Sequence, residues 1–206
     1  MSRQEQTKQM RQRIIDSAIQ EFNEYGYDNA SLNHVCKIRN ISKGIIYHYF
    51  KDKDDLYLAC IKELYDTLLT YYQENMHLNE NIEIKDYMQI RLSFFKEYPY
   101  FVGLFFYSLL YTPHHLTNET NEIMKDLKNY NILIYKNYLS KFHLRVSEEL
   151  AIMYLDACQS SFNDFFRKIF YECDDKSSLI KEHEKLIPDW IDLMLYGIVN
   201  ERKDIE

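Results

Sequence analysis

The sequence predicts an all-α protein, and three observations carry that prediction. Glycine (4) and proline (3) are scarce among 206 residues, apolar residues recur at three- and four-residue spacing, and alternating strand patterns between turn signals are missing. With 46% hydrophobic and 16% aromatic residues the chain can bury a substantial core, which excludes a disordered class. The spacing resolves into about nine helices: a three-helix head over residues 1–53 and a larger helical body over 54–206.

The first helix is predicted over 8–25, where Met10, Ile14, Ala18, Phe22 and Tyr25 form one stripe, with Gly26 as a suitable C′ residue. Ser31 can cap a second helix that turns Leu32, Val35, Cys36 and Ile38 inward. Residues 39–41 make a tight turn in which Asn40 is best able to take a positive φ. Ser42 then caps a short third helix over 42–50, which completes a helix-turn-helix candidate. At about 100° per residue this helix puts Ile46, Tyr49 and Phe50 on a docking face and Lys43, Gly44, Ile45, Tyr47 and His48 on the other. The second face carries a cation, a residue without a side chain and two aromatics with polar tips. It can lie against a phosphate backbone and reach base edges, or it is a plain solvated face.

In the body, Asp52 with Asp55 three residues later starts a long fourth helix. Leu56, Cys60, Leu64 and Leu68 carry it to about residue 73, making it the mechanical link between head and body. A polar loop is predicted over 75–83. A fifth helix follows over about 84–97, with Ile84, Tyr87, Met88, Leu92 and Phe95 inward. Residues 100–111 are apolar almost all round and read as an internal helix. The seventh covers about 117–141, with Ile123, Leu127, Tyr130, Ile134, Tyr138 and Phe142 inward. Ser147 opens an eighth to about 173, and residues 174–178 are a polar turn. The last helix, over about 178–199, contains Pro188, which is expected to kink or restart it.

Charge divides along the same boundary. Residues 1–53 hold nine Lys/Arg against six Asp/Glu, a net of +3, which leaves −10 on the remaining 153 residues of a chain whose net charge is −7. A basic end on an acidic body suits a DNA-binding head on a body that DNA repels. The longest apolar run, 101–111, is well short of the roughly 20 residues of a membrane span, and the first residues carry no apolar signal region. Cys36, Cys60, Cys158 and Cys173 are widely spaced, without a C-x-x-C pair, so buried reduced thiols in a cytoplasmic protein are the expectation.

The ending Ala18…Phe22…Gly26, the Ser31-Leu32 opening, and the run from Ile41 to Phe50 followed by Lys51, Lys53 and Leu56 together resemble the TetR/AcrR family of bacterial transcriptional regulators over residues 8–58. Asn40 stands where the family more often has glycine, and Lys37 and Arg39 where small residues are common. Tyr49 replaces the commoner His before the Phe, and Ile45 a small or polar residue. The resemblance implies a homodimer whose two heads each place the third helix in the major groove of a palindromic operator. It also implies a four-helix interface from helices eight and nine, a ligand pocket in the body, and most often a repressor that a small molecule releases from DNA.

In the head, Lys43, Lys53 and the Tyr47 hydroxyl are candidate phosphate partners, and the Ser42-capped helix start with Gly44 allows close backbone approach. His48 and Ile45 are the candidates for base edges, Ile45 able to read only a thymine methyl; the competing account is that both merely fill space at the groove mouth. Ser31 and Tyr49 complete the candidate DNA-binding set. A lipophilic or aromatic effector could lodge among Tyr65, Met88, Leu92, Phe95, Phe105 and Phe106, with Tyr107, Tyr111, Tyr130, Tyr138 and Phe162; a solid aromatic core is the alternative. Tyr154, Ala157, Cys158, Ser161 and Phe165, with Trp190, Ile191 and Met194, read as a dimer seam or, again, as an intramolecular core. The adjacent His114 and His115 read as a solvated turn and no metal site or cofactor is expected. With no nucleophile elbow, phosphate loop or H-E-x-x-H, nothing supports enzymatic chemistry. The mechanism that follows is effector binding between helices four and seven, a tilt of helix four, and heads displaced from the spacing of about 34–36 Å that fits successive major grooves. A helical ligand-binding or interaction module without DNA binding, and an activator of the same fold, are the alternatives.

Overall fold

A computed structural model describes residues 2–76, 83–173 and 175–197, and all regular structure among these residues is helical. Helices α1 (Arg3–Asn29), α2 (Leu32–Ile38) and α3 (Lys43–Tyr49) are followed by α4 (Lys53–Asn75) and α5 (Ile84–Glu97). Then come α6 (Val102–Leu110), α7 (Thr117–Leu139), α8 (Glu148–Glu172) and α9 (Lys176–Tyr196), with short 3-10 turns at Pro99–Phe101 and His114–Leu116. Most of the loop expected over 75–83, together with Asp174 and Ile198, lies outside the described residues.

Local capping explains most of the boundaries. Ser2 and Glu5 form a capping box that starts α1 five residues before the predicted start at residue 8. Gly26, at φ 67°, kinks α1 without ending it, and the helical turn resumes to Asn29. Asp52 Oδ1 accepts the Asp55 N–H at 2.9 Å, Asp55 accepts the Lys51 N–H at 3.0 Å, and Ser147 caps α8 through the Leu150 N–H. Two expectations meet the structure differently. Ser31 makes no side-chain cap on α2; its backbone N–H instead donates to the buried carboxylate of Glu21 at 2.7 Å, and that carboxylate also binds His34. Of the two outcomes expected at Pro188, a restart does not occur: the last helix runs through it as one element. Tertiary packing of Ile187 and Ile191 outweighs the one backbone bond the proline removes.

The helices sort into two compact units. The first comprises Met1–Asn75 with Leu92–Tyr130. Within it α1 packs on α2, α4 and α6, and its core holds Ile14, Ala18, Phe22, Leu64 and Phe106. The α1–α6 seam is close: Asn23 Oδ1 accepts the Gly103 N–H at 2.7 Å, and a Cβ on Gly103 would stand 2.0 Å from the Asn23 carbonyl oxygen. The second unit comprises Met76–Arg91 with Asn131–Glu206. There α8 packs on α9, and Leu139, Ala151, Leu155 and Met194 form a core cluster beside Trp190.

On α5 the expected inward face is displaced. Met88 is buried as predicted, but Arg91 is 7% exposed while Leu92, expected inside, is 48% exposed. Arg91 is drawn in by Glu184, whose carboxylate lies 2.6 Å from its guanidinium. Phe142, expected on the inner face of α7, lies past its end and is exposed.

Candidate nucleic-acid interface

Helix α3 is held from below. Ile46 and Phe50 are buried, and the Arg11 guanidinium lies 4.9 Å from the centre of the Phe50 ring. The turn leading into it takes the expected form, with Asn40 at φ 52° and the Ile41 N–H donating to the Cys36 carbonyl at 2.8 Å. Ser42 Oγ accepts the Ile45 N–H at 3.3 Å, so the helix starts where the sequence places it.

The opposite face is open. Lys43, Gly44, Ile45, Tyr47 and His48 are all exposed, Tyr47 at 49%. Lys43 Nζ stands 5.9 Å from the Tyr47 ring centre, and His48 meets Tyr49 edge-on at 5.2 Å. A Cβ at Gly44 would meet nothing within 4 Å, so the chain's own packing does not demand glycine there. Tyr49 is half-buried, between the two faces. Ser31 is exposed at the start of α2.

Lys53 is placed differently from Lys43. Its ammonium lies 4.6 Å from the Tyr27 ring centre and 3.5 Å from the Asp28 carbonyl, and burial lowers its pKa. It is packed on the end of α1 and is not extended into solvent.

The predicted pocket residues divide between the units. In the first, Tyr65, Phe95, Phe105 and Phe106 form a continuous ring chain: Phe95 to Phe105 at 5.1 Å, Phe105 to Phe106 at 5.3 Å, Tyr65 to Phe105 at 6.1 Å. Tyr65 and Ser108 share a hydrogen bond at 3.0 Å, and Tyr130 stacks on Tyr72. Tyr107 fills the space that a Cβ on Gly26 would need, and Tyr111 is half-buried at the end of α6. Leu92 belongs to this unit but is exposed. Met88, Tyr138 and Phe162 belong to the second unit and are buried there. A groove of about 260 Å³ in the first unit has another lining, Glu63, Asp66, Thr67, Thr70, Tyr71, Glu74 and Tyr98. None of these was predicted.

The predicted seam also divides. Along α8, Tyr154, Ala157, Ser161 and Phe165 are exposed, and Leu150 and Met153 extend the same stripe, Met153 at 66%. Ile191 and Met194 are buried within the chain itself, and Trp190 packs on Phe162 at 5.2 Å while donating to the Cys158 carbonyl at 3.3 Å. Those four therefore join α8 to α9 within one chain. Of the cysteines, only Cys60 is buried; Cys36, Cys158 and Cys173 are half-buried, and all four are free.

Sequence reasoning missed a polar network in the second unit. His183, 1% exposed, places Nδ1 3.2 Å from Glu184 and Nε2 3.3 Å from Asn163 Oδ1, between the rings of Phe162 and Phe166. Burial pushes the His183 pKa down, against the Glu184 hydrogen bond, and Arg91 adds to the lowering. Burial would raise Glu184, but Arg91 and His183 overcome it and hold its pKa below the usual range. Among the described residues no cluster of His, Cys, Asp and Glu could hold a metal ion. Among them, too, no helix is long and apolar enough to cross a membrane.

Residues 14–60, the segment that builds this face, match the family model for bacterial regulatory proteins of the tetR family. The similarity to that family lies in this helix-turn-helix segment. An HTH-type transcriptional regulator of Staphylococcus aureus is 33% identical over 92 residues, 44% of this chain and 48% of that protein. The negative transcriptional regulator IcaR of the Staphylococcus epidermidis biofilm operon icaADBC is 30% identical over 74 residues, 36% of this chain and 40% of IcaR. The chain thus spans about half or less of the length of these curated relatives. A likeness of fold extends over most of the chain. FadR of Bacillus subtilis, solved with stearoyl-CoA, superposes with a TM-score of 0.65 at 21% identity, over 91% of this chain and 99% of FadR. FadR of Bacillus halodurans gives 0.62 at 18% identity, again over 91% and 99%. At these identities the likeness is one of fold. The family is one of regulators and not of enzymes.

Proposed function

We propose that this protein is a dimeric DNA-binding transcriptional regulator, a repressor that a small lipophilic or aromatic effector releases from a palindromic operator. The observation that carries the reading is the face of α3: Lys43, Ile45, Tyr47 and His48 exposed together above a buried Ile46 and Phe50. Residues 1–53 would form the DNA-binding head and the rest the ligand-binding and dimerisation body. Lys43 and Tyr47 would hold phosphates, and Ile45 and His48 would face base edges. Lys53 would reach a phosphate only by leaving Tyr27.

The α8 stripe supports a homodimer. Leu150, Met153, Tyr154 and Phe165 expose apolar surface at helical spacing, with Ala157 and Ser161 allowing close approach between them. Repression is the reading in line with IcaR, a negative regulator, and a lipophilic effector is in line with FadR and its stearoyl-CoA. The aromatic ring chain of the first unit would supply the apolar lining. The testing experiment is a salt series of gel shifts on the fragment upstream of the protein's own gene. Lys43→Ala should weaken binding across sequences and flatten the slope of log affinity against log salt by about one unit per phosphate contact per head. A wild-type protein that shifts no genomic fragment would favour a helical ligand-binding module instead.

A further inference from the structure

Asp54 stands in the first turn of α4, where an acidic residue usually serves the helix end. That service is already supplied by Asp52 and Asp55, which cap the backbone N–H groups of Asp55 and Lys51. The Asp54 carboxylate points elsewhere. Its Oδ1 accepts the Tyr27 hydroxyl from the end of α1, 27 positions away, and its Oδ2 lies 3.2 Å from Nε2 of His115, 61 positions away in the turn between α6 and α7. Tyr27 is a hub in its own right, edge-on to Tyr57 at 5.1 Å and to His115 at 5.8 Å, with Lys53 above its face. Burial and the Asp54 hydrogen bond push the Tyr27 pKa up, so the phenol stays a proton donor. All these residues lie within one compact unit.

We propose that Asp54 is a positioning residue for DNA binding, a clamp that fixes the α6–α7 turn to the start of α4 and, through Tyr27, to the end of α1. A displaced His115 withdraws one of the two groups that hold Asp54, and the α4 start that carries Lys53 loses its fixed orientation against α1. The head then samples orientations that do not fit both grooves. This inference rests on the DNA-binding reading above. Its distinguishing feature is one shared acceptor: His115 and Tyr27 act through the same carboxylate, so their removal is not additive.

The test compares Asp54→Asn, His115→Ala, Tyr27→Phe and the double variant of Asp54 and His115 in the full chain, with His115→Gln as the conservative rescue. Two measurements are made: gel shifts on the upstream fragment over a salt series, and hydrogen–deuterium exchange at residues 114–116 and in the first turn of α4. Asp54→Asn and His115→Ala should each weaken binding by about fivefold with an unchanged salt slope, the lower end of measured couplings between sites. The double variant should be no weaker than Asp54→Asn, and exchange at 114–116 should speed up in Asp54→Asn. Additive losses, unaltered affinity, or a slope reduced by a unit would each overturn the clamp, the last because it would mark a direct phosphate contact. If the wild type shifts no fragment, the DNA-binding reading fails; exchange at 114–116 that Asp54→Asn leaves unchanged would then overturn the clamp on its own.

Discussion

Where the first unit closes on backbone contact, with Asn23 and Gly103 leaving no room for a side chain, the second closes on charge, with Arg91 held by Glu184 beside His183. Their surfaces differ in the reverse sense. The first unit exposes Lys43, Tyr47 and His48, a polar and aromatic face, while the second exposes Met153, Tyr154 and Phe165, an apolar one. A steric interior tolerates no added atom, and an ionic interior tolerates no lost partner. On the proposed reading the open face of α3 would meet a charged, hydrated backbone, and the stripe of α8 a second apolar surface.

The ionic interior offers the largest expected effect. Glu184→Ala would take away the carboxylate that lies 2.6 Å from the Arg91 guanidinium, in a site where Arg91 is 7% exposed. Removing one member of a buried pair costs about 3–5 kcal/mol, so urea unfolding should show a loss of that order. Replacing both Arg91 and Glu184 by apolar residues of similar volume should recover most of it. A double variant as unstable as the single would mean that the network does more than satisfy its own charges. The steric interior should respond next. Gly103→Ala puts a methyl group 2.0 Å from the Asn23 carbonyl oxygen, which forces α6 away from α1. A loss of about 1–3 kcal/mol is expected, and a wild-type midpoint would show the seam to be softer than its geometry.

The two interiors were unequally legible in the sequence. Helix starts and the tight turn could be read because Ser42, Asp52 and Ser147 act on N–H groups three residues away, and Asn40 carries its own conformational preference. Arg91 could not be read. Its partner lies 93 positions on, and hydrophobic spacing favoured Leu92 for the inner face. The same limit applies to Lys53, whose placement over Tyr27 depends on where α1 kinks, and to His115, whose partner Asp54 is on another helix. On α8 every third or fourth residue is apolar on both sides, so spacing alone could not separate the stripe of Tyr154 and Phe165 from the buried Phe162 and Phe166. At Pro188 the helix is not restarted, since a local preference yields when the residues around it are buried.

The smallest effect expected is a slope, and it too belongs to the second unit. His183 is buried and its pKa is lowered, so the folded state holds this imidazole neutral while the unfolded chain takes up a proton in the ordinary range. Unfolding therefore binds a proton as the pH falls below about 6.5, and stability contributed by the neutral ring is present above that range and lost beneath it. The groups facing the ring are Glu184, Asn163, Phe162 and Phe166, with Arg91 near, and the low pKa of Glu184 keeps its charge in place through the same interval. Denaturant melts of the wild type between pH 7 and pH 5.5 should show a falling midpoint. His183→Asn, which has no proton to gain there, should flatten that fall even if it lowers stability throughout. An equal fall in both proteins would place the acid sensitivity outside this network.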